Sequence, residues 1–346
     1  MQRMKMLRFF ACLIAALGLC TLINGCDSSQ KGKEISKEQT MPNQTLKLIF
    51  PQWQGGDIVA FFKDLEPNEA ARGYILGAQI LDLLTSDINP NLDKNTAFVD
   101  ISKDFKVDSN GARIVQGGII DKEILLSQHK VALKILQSKN PTKILTLGGE
   151  CATSIAPFGY LADKYTKQGE NVALIWIDAH PDLGVANDEF YKGYHAMAVS
   201  AIVGDESLRD DFALPSYIKP QNVLFIGLHS NEAEHYNARR ENLGAHSISG
   251  KDIADNEAKA VSAMSAWIKE RGITKVLIHL DLDVLNPKEL YVAVGDTGVL
   301  SVANVINAIN ALSQNAEVVG LTIAEHLPKA ELQLKAMLKN LPLIKE

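Results

Sequence analysis

Basic residues are in the minority: 35 lysines and arginines face 41 aspartates and glutamates, giving a net charge of -6 over 346 residues. Gripping a phosphate backbone needs a basic face, and no basic patch interleaved with aromatics occurs, so nucleic acid is excluded as a partner. Cysteine is scarce as well. Of the four, Cys12 and Cys20 lie in an apolar N-terminal run and Cys26 directly follows it. Cys151 therefore stands alone in the rest of the chain, with no internal disulfide available to it. There is no Gly-x-Ser-x-Gly elbow, which removes a serine-hydrolase reading. No Gly-x-Gly-x-x-Gly follows a strand, and Gly250-Lys251 is followed by Asp252 at the wrong distance from Gly244 for a phosphate loop. The apolar run from Phe9 to about Ile23 is shorter than a membrane span.

What is present fits one large α/β domain with a real core: 46% of residues are hydrophobic and 22% charged. At the start, Arg3, Lys5 and Arg8 precede the apolar run, which ends in Ile23-Asn24-Gly25-Cys26, the order of a secretory signal. The ending resembles the bacterial lipoprotein signal, in which the cysteine after a small residue becomes the lipidated first residue. The resemblance implies a signal peptide over 1–25 and a membrane anchor through lipid on Cys26, in the bacterial cell envelope outside the cytoplasm. An uncleaved anchor helix or an ordinary signal is the alternative. Residues 26–45 are polar and nearly free of large apolar side chains, so they are expected to form a disordered tether. The body is then 46–346.

Along the body, short apolar runs alternate with amphipathic stretches. The runs are LKLIF (46–50), KILTL (143–147), NVALIWI (171–177), NVLFIGL (222–228), KVLIHLDL (275–282) and EVVGLTI (317–323). Their near-continuous apolar content predicts strands buried on both faces. Helical patterns fill 68–86, 121–138, 256–272 and 301–314. Strand and helix in alternation predict a parallel sheet covered on both sides.

Ligands of an open parallel sheet bind beyond the carboxyl ends of its strands, and acids collect there. KILTL runs into Gly148-Gly149-Glu150-Cys151, NVALIWI into Asp178-Ala179-His180-Pro181-Asp182, KVLIHL into Asp281-Leu282-Asp283, and EVVGLTI into Ala324-Glu325-His326. Alternate residues of an extended segment share a face, so Asp178, His180 and Asp182 are expected to converge, as are Asp281 and Asp283. Pro181 has no N–H and ends the ladder at the tip. Carboxylates gathered without a basic neighbour repel one another, and a divalent cation removes the conflict. Aspartates with a histidine suit hard to borderline ions, manganese foremost, and that many oxygens can bridge two of them. A loop or capping role is the bland reading of any single Asp-x-Asp.

In order and spacing these motifs resemble those of the arginase family of metal-dependent ureohydrolases. The likeness covers about 46–346 and runs through Gly-Gly-acid, Asp-Ala-His-Pro-Asp, His195 with Met197 two residues on, His-Leu-Asp-Leu-Asp-Val-Leu-Asn-Pro, and Glu325 before Pro328. It implies a three-layer α/β fold shared with the related deacetylases, with a central eight-stranded parallel sheet. Two divalent metal ions are implied, bridged by Asp178 and Asp281, with Asp182 completing one set and His180 with Asp283 the other. His195 matches the family's proton-shuttling histidine, and Glu325 the acid that pairs with a guanidinium. The implied partner is a small guanidino or amidino substrate, attacked at carbon by metal-bridging hydroxide to give urea and an amine. A homo-oligomer is an allowed assembly.

The chain departs from the family where Gly-Gly-Asp-His-Ser is usual, having Glu150-Cys151-Ala152. Cys151 takes the place of a ligand histidine. A thiolate ligand would shift preference toward zinc or iron; an inert buried thiol beside a weakened metal position is the alternative, and with it a lipoprotein that binds a small ligand without turnover. The loop Leu183 to Gly193 lacks the Asn and Ser pattern by which arginases hold the α-amino acid end of arginine, so the substrate is not fixed as arginine. Asn187 or Asp188 is expected to touch the substrate tail. His279 and His326 are expected to orient ligands, and His129, His229, His235 and His246 receive no role.

Overall fold

The computed structural model describes residues 45–56, 65, 67–292, 295 and 297–345. The expected signal peptide and most of the tether, with Cys26, lie outside the described residues. Among the described residues ten strands follow in chain order: β1 Thr45–Phe50, β2 Thr96–Phe98, β3 Val115–Gln116, β4 Ile119–Ile120, β5 Lys143–Gly148, β6 Val172–Ile177, β7 Val223–Ile226, β8 His246–Ile248, β9 Lys275–Asp281 and β10 Glu317–Ala324. Eight form one sheet in the order β2-β1-β5-β10-β9-β6-β7-β8, every pairing parallel. β3 and β4 make a separate antiparallel pair.

Every residue of β6 is buried, and its alternation explains why. Leu174 and Trp176 pack with Leu125, Ala132 and Leu136 of helix Lys122–Lys139 and with Ile155, Phe158 and Leu161 of helix Ile155–Thr166. Ile175 and Ile177 pack on the other side with Met264 and Trp267 of helix Glu257–Glu270 and with Val305 and Leu312 of helix Val302–Ser313. Helix, sheet and helix make the expected three layers. A strand covered on both faces buries apolar surface twice, each large side chain worth about 1.5–3 kcal/mol, which is why the central strands read as unbroken apolar runs.

The helices covering the second face begin at chemical signals. Asn256 accepts a hydrogen bond from the Lys259 N–H, and Ser301 forms a reciprocal cap with Asn304. Those helices start within a residue of the positions the pattern predicts. The helix predicted from 68 is divided, with Pro67–Ala71 preceding Gly73–Ile88. The parallel arrangement sends the carboxyl ends of β5, β6, β9 and β10 to one edge of the sheet, β5, β10, β9 and β6 being consecutive neighbours there.

Candidate metal centre

β6 pairs through Ile177, and the chain then turns. Asp178 is fully buried and held from two sides: the Trp176 indole N–H donates to Oδ2 at 2.9 Å and the His180 backbone N–H to Oδ1 at 2.6 Å. Asp182 has φ +45°, so the extended alternation expected of Asp178, His180 and Asp182 is broken at its third member. The convergence of the first two comes from a turn. His180 Nδ1 sits 2.9 Å from Asp283 Oδ2 and 3.6 Å from Asp178 Oδ1. The tip of β9 is built the same way. Leu282–Val284 is a single 3-10 turn in which the Asp283 N–H donates to Asp281 Oδ1 at 2.7 Å. The Ala179 N–H donates to Asp283 Oδ1 at 3.3 Å, joining the two tips.

The other two strand ends close the centre. A Cβ on Gly149 would come 1.9 Å from the Gln52 carbonyl oxygen, so only glycine permits this approach of β5 to the turn after β1. It delivers Cys151, 2% exposed, whose thiol donates to Asp281 Oδ2 at 3.2 Å and to Glu325 Oε1 at 3.4 Å. Glu325, at φ +63°, is strained backbone for a non-glycine residue. Its N–H donates to the Gly149 carbonyl at 2.7 Å, while Oε1 accepts the Cys151 N–H at 3.2 Å and Oε2 accepts the Tyr74 hydroxyl. His195 approaches Glu325 Oε1 through Nδ1 at 3.5 Å, and its Nε2 pairs with the Tyr191 hydroxyl at 2.8 Å.

Burial sets the electrostatics. It pushes Asp178 up to about 7, aided by the charge of Asp283. It pushes Asp182 well above the carboxylate range, with Asp178 adding to the rise, and does the same to Asp281 with help from Asp283 and Asp178. Cys151 is driven well above the usual thiol value by burial and then by Asp182 and Asp281. Burial alone would also raise Asp283, but His180 overcomes it and the carboxyl ends lower than usual. His180 is raised, Asp283 and Asp178 outweighing its own burial. Glu150, fully buried, is raised by burial to about 7 despite bonds from the Gln52 side chain and the Ala152 N–H. His279 is held neutral by burial, its value falling to about 3. These are the shifts of a centre carrying more negative charge than its own residues balance.

Two observations fit divalent cations here. Ligand atoms of Asp178, His180 and Asp283 lie within 4.8 Å of one another, and so do those of Cys151, Asp178, His279 and Asp281. Asp178 belongs to both sets. Among the described residues, two buried polar atoms of this centre, Asp182 Oδ2 and His279 Nε2, have no hydrogen-bond partner, which is costly unless something else satisfies them. A third set, Cys151, His195 and Glu325, meets the same spacing.

The site residues named from sequence thus gather at one edge, with three corrections. Asp188 is no free substrate contact: it is 4% exposed and its carboxylate is taken by the Arg239 guanidinium, at 2.7 Å from Nη1, and by the Val185 N–H at 2.9 Å. It pins the loop, and Asn187 beside it is exposed. The backbone of His326 packs closely on the helix Gly73–Ile88, its carbonyl lying 1.7 Å from where a Gly77 Cβ would be, and its ring belongs to none of the three sets. Asp182 stands outside all three sets, and its charge is the largest contribution of a neighbour to the rise of the Cys151 thiol. Tyr74, in helix Gly73–Ile88, has no motif around it to mark it in the sequence. Tyr74→Phe would leave Glu325 Oε2 without its donor in a buried place; a loss of about 1–3 kcal/mol in a denaturant melt is the expected result.

Sheet order and strand-tip chemistry define an α/β protein with a candidate metal centre. The chain belongs to the arginase family, whose sequence model matches residues 80–338; that family is binuclear-metal dependent and hydrolyses amidino bonds. An arginase of Staphylococcus aureus (strain MRSA252) is 28% identical over 222 residues, covering 63% of this chain and 68% of its own length. Among solved structures, arginase from Bacillus caldovelox superposes with a TM-score of 0.67 at 17% identity, covering 87% of this chain and 99% of that one. Formimidoylglutamase from Bacillus subtilis does so at 0.56 and 16%, covering 89% of each. At such identities the structural likeness shows the fold.

Proposed function

We propose that the chain is a ureohydrolase-like enzyme that cleaves a guanidino or related amidino carbon–nitrogen bond and releases urea and an amine. The observation that carries this reading is the meeting of Asp178 and Asp281 at one buried centre beside Cys151, Asp283 and Glu325. Asp178, His180 and Asp283 would hold one divalent ion, and Cys151, Asp178 and Asp281 a second, with Asp182 alongside. Manganese suits the oxygen-rich set, and zinc or iron the one with sulfur. Such ions, when bound, neutralise the carboxylates and acidify water to a nucleophile near neutral pH.

The chain supplies the rest. Glu325 is placed to pair with a cationic guanidinium, with Tyr74 and the Cys151 N–H holding its carboxylate in orientation. His195 is half-buried, and the desolvation by itself would lower its pKa, but Glu325 raises it instead. When protonated, its ring would supply the proton to the departing nitrogen, since an amine leaves far more readily when protonated. His195→Ala is expected to cut turnover by roughly 10²–10⁴-fold with little change in metal content, measured as urea released. The test of the reading is a urea-release screen over guanidino compounds of different tail lengths, because formimidoylglutamase among the neighbours shows that this fold does not dictate the substrate. No urea from any compound by metal-loaded protein would contradict it.

One feature favours a second reading. Cys151 is a buried, protonated donor to Asp281 and Glu325, the state of an inert thiol, and a protein built on that state would bind a small cationic ligand without turnover. Melting-temperature shifts by guanidino compounds in the absence of urea release would support it. Cys151→His is expected to raise manganese affinity by at least about tenfold, read by equilibrium dialysis, since imidazole suits that ion better than a thiolate. From residues 1–45 of the sequence alone we further propose attachment to the outer side of a bacterial membrane through lipid on Cys26. A homo-oligomer would be compatible with that attachment.

A further inference from the structure

His279 has no place in the metal sets that the family resemblance implies. It lies on β9 two residues before Asp281, opposite Trp176 in the sheet register. The ring is fully buried and stacks on the Trp176 indole, with centroids 3.6 Å apart and planes 12° from parallel. One nitrogen is satisfied: Nδ1 meets the Ser154 hydroxyl at 2.8 Å. The other is not. Nε2 has no hydrogen-bond partner and lies 3.9 Å from Asp178 Oδ2, an oxygen already occupied by the Trp176 N–H.

This is the arrangement of a metal-ligating histidine before its metal is considered. Such a residue fixes its orientation and tautomer through a hydrogen bond from the far ring nitrogen and keeps the near one for the ion. A buried, stacked, neutral imidazole with a bare nitrogen otherwise carries a desolvation cost with nothing to offset it. The bare nitrogen belongs to a set in which one ligand atom each from Cys151, Asp178, His279 and Asp281 lies within 4.8 Å of all the others. A single cation among them would reach four donors from three strand ends. The set also restores what the first motif lacks, because the imidazole missing at 151 is supplied from 279.

We propose that His279 is a ligand of this centre, completing with Cys151, Asp178 and Asp281 a position of mixed nitrogen, sulfur and oxygen donors that takes a borderline divalent cation such as zinc or ferrous iron ahead of manganese. The proposal rests on the reading of the centre as metal-binding, and it narrows which ions that centre holds. One thiolate and one imidazole beside two carboxylates form a softer set than His180 with Asp178 and Asp283. The two positions therefore differ in preference, and the ion at the softer one carries a sulfur bond that manganese disfavours.

Cobalt(II) titration of the metal-stripped full chain tests this, since a cobalt–thiolate bond produces a near-ultraviolet charge-transfer band and the visible bands report coordination geometry. Wild-type protein is expected to show the charge-transfer band with the first ion bound, and zinc to displace it more readily than manganese. His279→Asn, which keeps a polar group toward Ser154, is expected to weaken that first ion by at least 100-fold and to change its visible bands. Cys151→Ser is expected to remove the charge-transfer band. X-ray absorption of wild-type protein carrying one equivalent of zinc needs no variant to fold, and is expected to show one sulfur near about 2.3 Å together with an imidazole. Cobalt affinity and spectra in a folded His279→Asn protein equal to wild type would overturn the assignment of His279, as would a zinc spectrum without imidazole; a zinc spectrum without sulfur would overturn the mixed donor set, while bound cobalt in wild type would leave the metal-centre reading standing. Failure of the wild type to bind any cobalt would overturn both.

Discussion

Asp281→Asn is expected to abolish cation binding at the strand-tip centre and, at pH 8, to make the metal-free protein more stable than wild type. The two effects share one cause. Asp281 is buried at 2% exposure, accepts the Asp283 N–H and the Cys151 thiol, and lies close enough to Asp178 and Asp283 that both raise its pKa. An amide of the same shape keeps an acceptor for the Asp283 N–H but removes one buried negative charge. Without that charge the ion that Cys151, Asp178 and Asp281 would hold loses one of its carboxylates, and affinity is expected to fall by about 10³-fold or more, roughly 4 kcal/mol. Without metal the same change relieves repulsion, and a gain of about 1 kcal/mol would raise the melting temperature by roughly 2–4 °C. An ordinary structural aspartate would show the reverse, destabilised and indifferent to metal. Isothermal titration with manganese and zinc, alongside melting curves with and without chelator, reads both halves.

The second large effect is on pH. In chelator-treated protein, Asp178 titrates near 7 while an unfolded aspartate titrates near ~3.9. A carboxyl whose folded value is raised binds its proton in the folded chain and loses it in the unfolded one throughout that interval. Stability therefore falls as pH rises from about 4 to 7. Asp182 and Asp281 act in the same direction. Asp283, lowered by His180 against its burial, acts oppositely, its stabilisation being present above the unfolded carboxyl value. His180, raised by Asp283 and Asp178 against its burial, contributes stability that is whole below the unfolded histidine value and is lost above it, adding to the fall at higher pH. Three raised carboxyls outweigh one lowered. The metal-free melting temperature is expected to drop between pH 5 and 8 by an amount worth a few kcal/mol. A saturating divalent cation is expected to flatten or reverse that slope, because it favours the charged forms the bare centre resists. A flat profile without metal would mean the acids do not interact as their distances imply.

The central sheet was legible from sequence because both of its faces are covered. β1, β5, β6, β7, β9 and β10 coincide with six apolar runs to within one or two residues, burial on both sides leaving no polar alternation to blur them. The edge strands were not legible as runs. β2 is TAF with Phe98 65% exposed, and β8 is HSI with an exposed histidine; only the family resemblance implied the total of eight. Helix Ile155–Thr166 was hard to read because its first eight residues are all buried and include Pro157 and Gly159, two poor helix formers. At the site, residues were legible where the chemistry sits in short motifs and illegible where it arises from register. Asp178, His180, Asp281 and Asp283 stand together in the text of the sequence, although turns rather than extended strands bring them together. The role of Tyr74 depends on a helix 251 residues away from Glu325. That of His279 depends on which residue of β6 lies opposite it. The clamp of Arg239 on Asp188 likewise joins a loop to a helix 51 residues distant, which is why Asp188 read as a free contact.

Carboxylates of separate parallel strands that share cations should retain those cations on dialysis. Equilibrium dialysis of the full chain against manganese or zinc, followed by elemental analysis, measures this with no assumption about substrate. About two ions retained per chain is the predicted result. A chain that emerges folded and metal-free from both dialyses would contradict it.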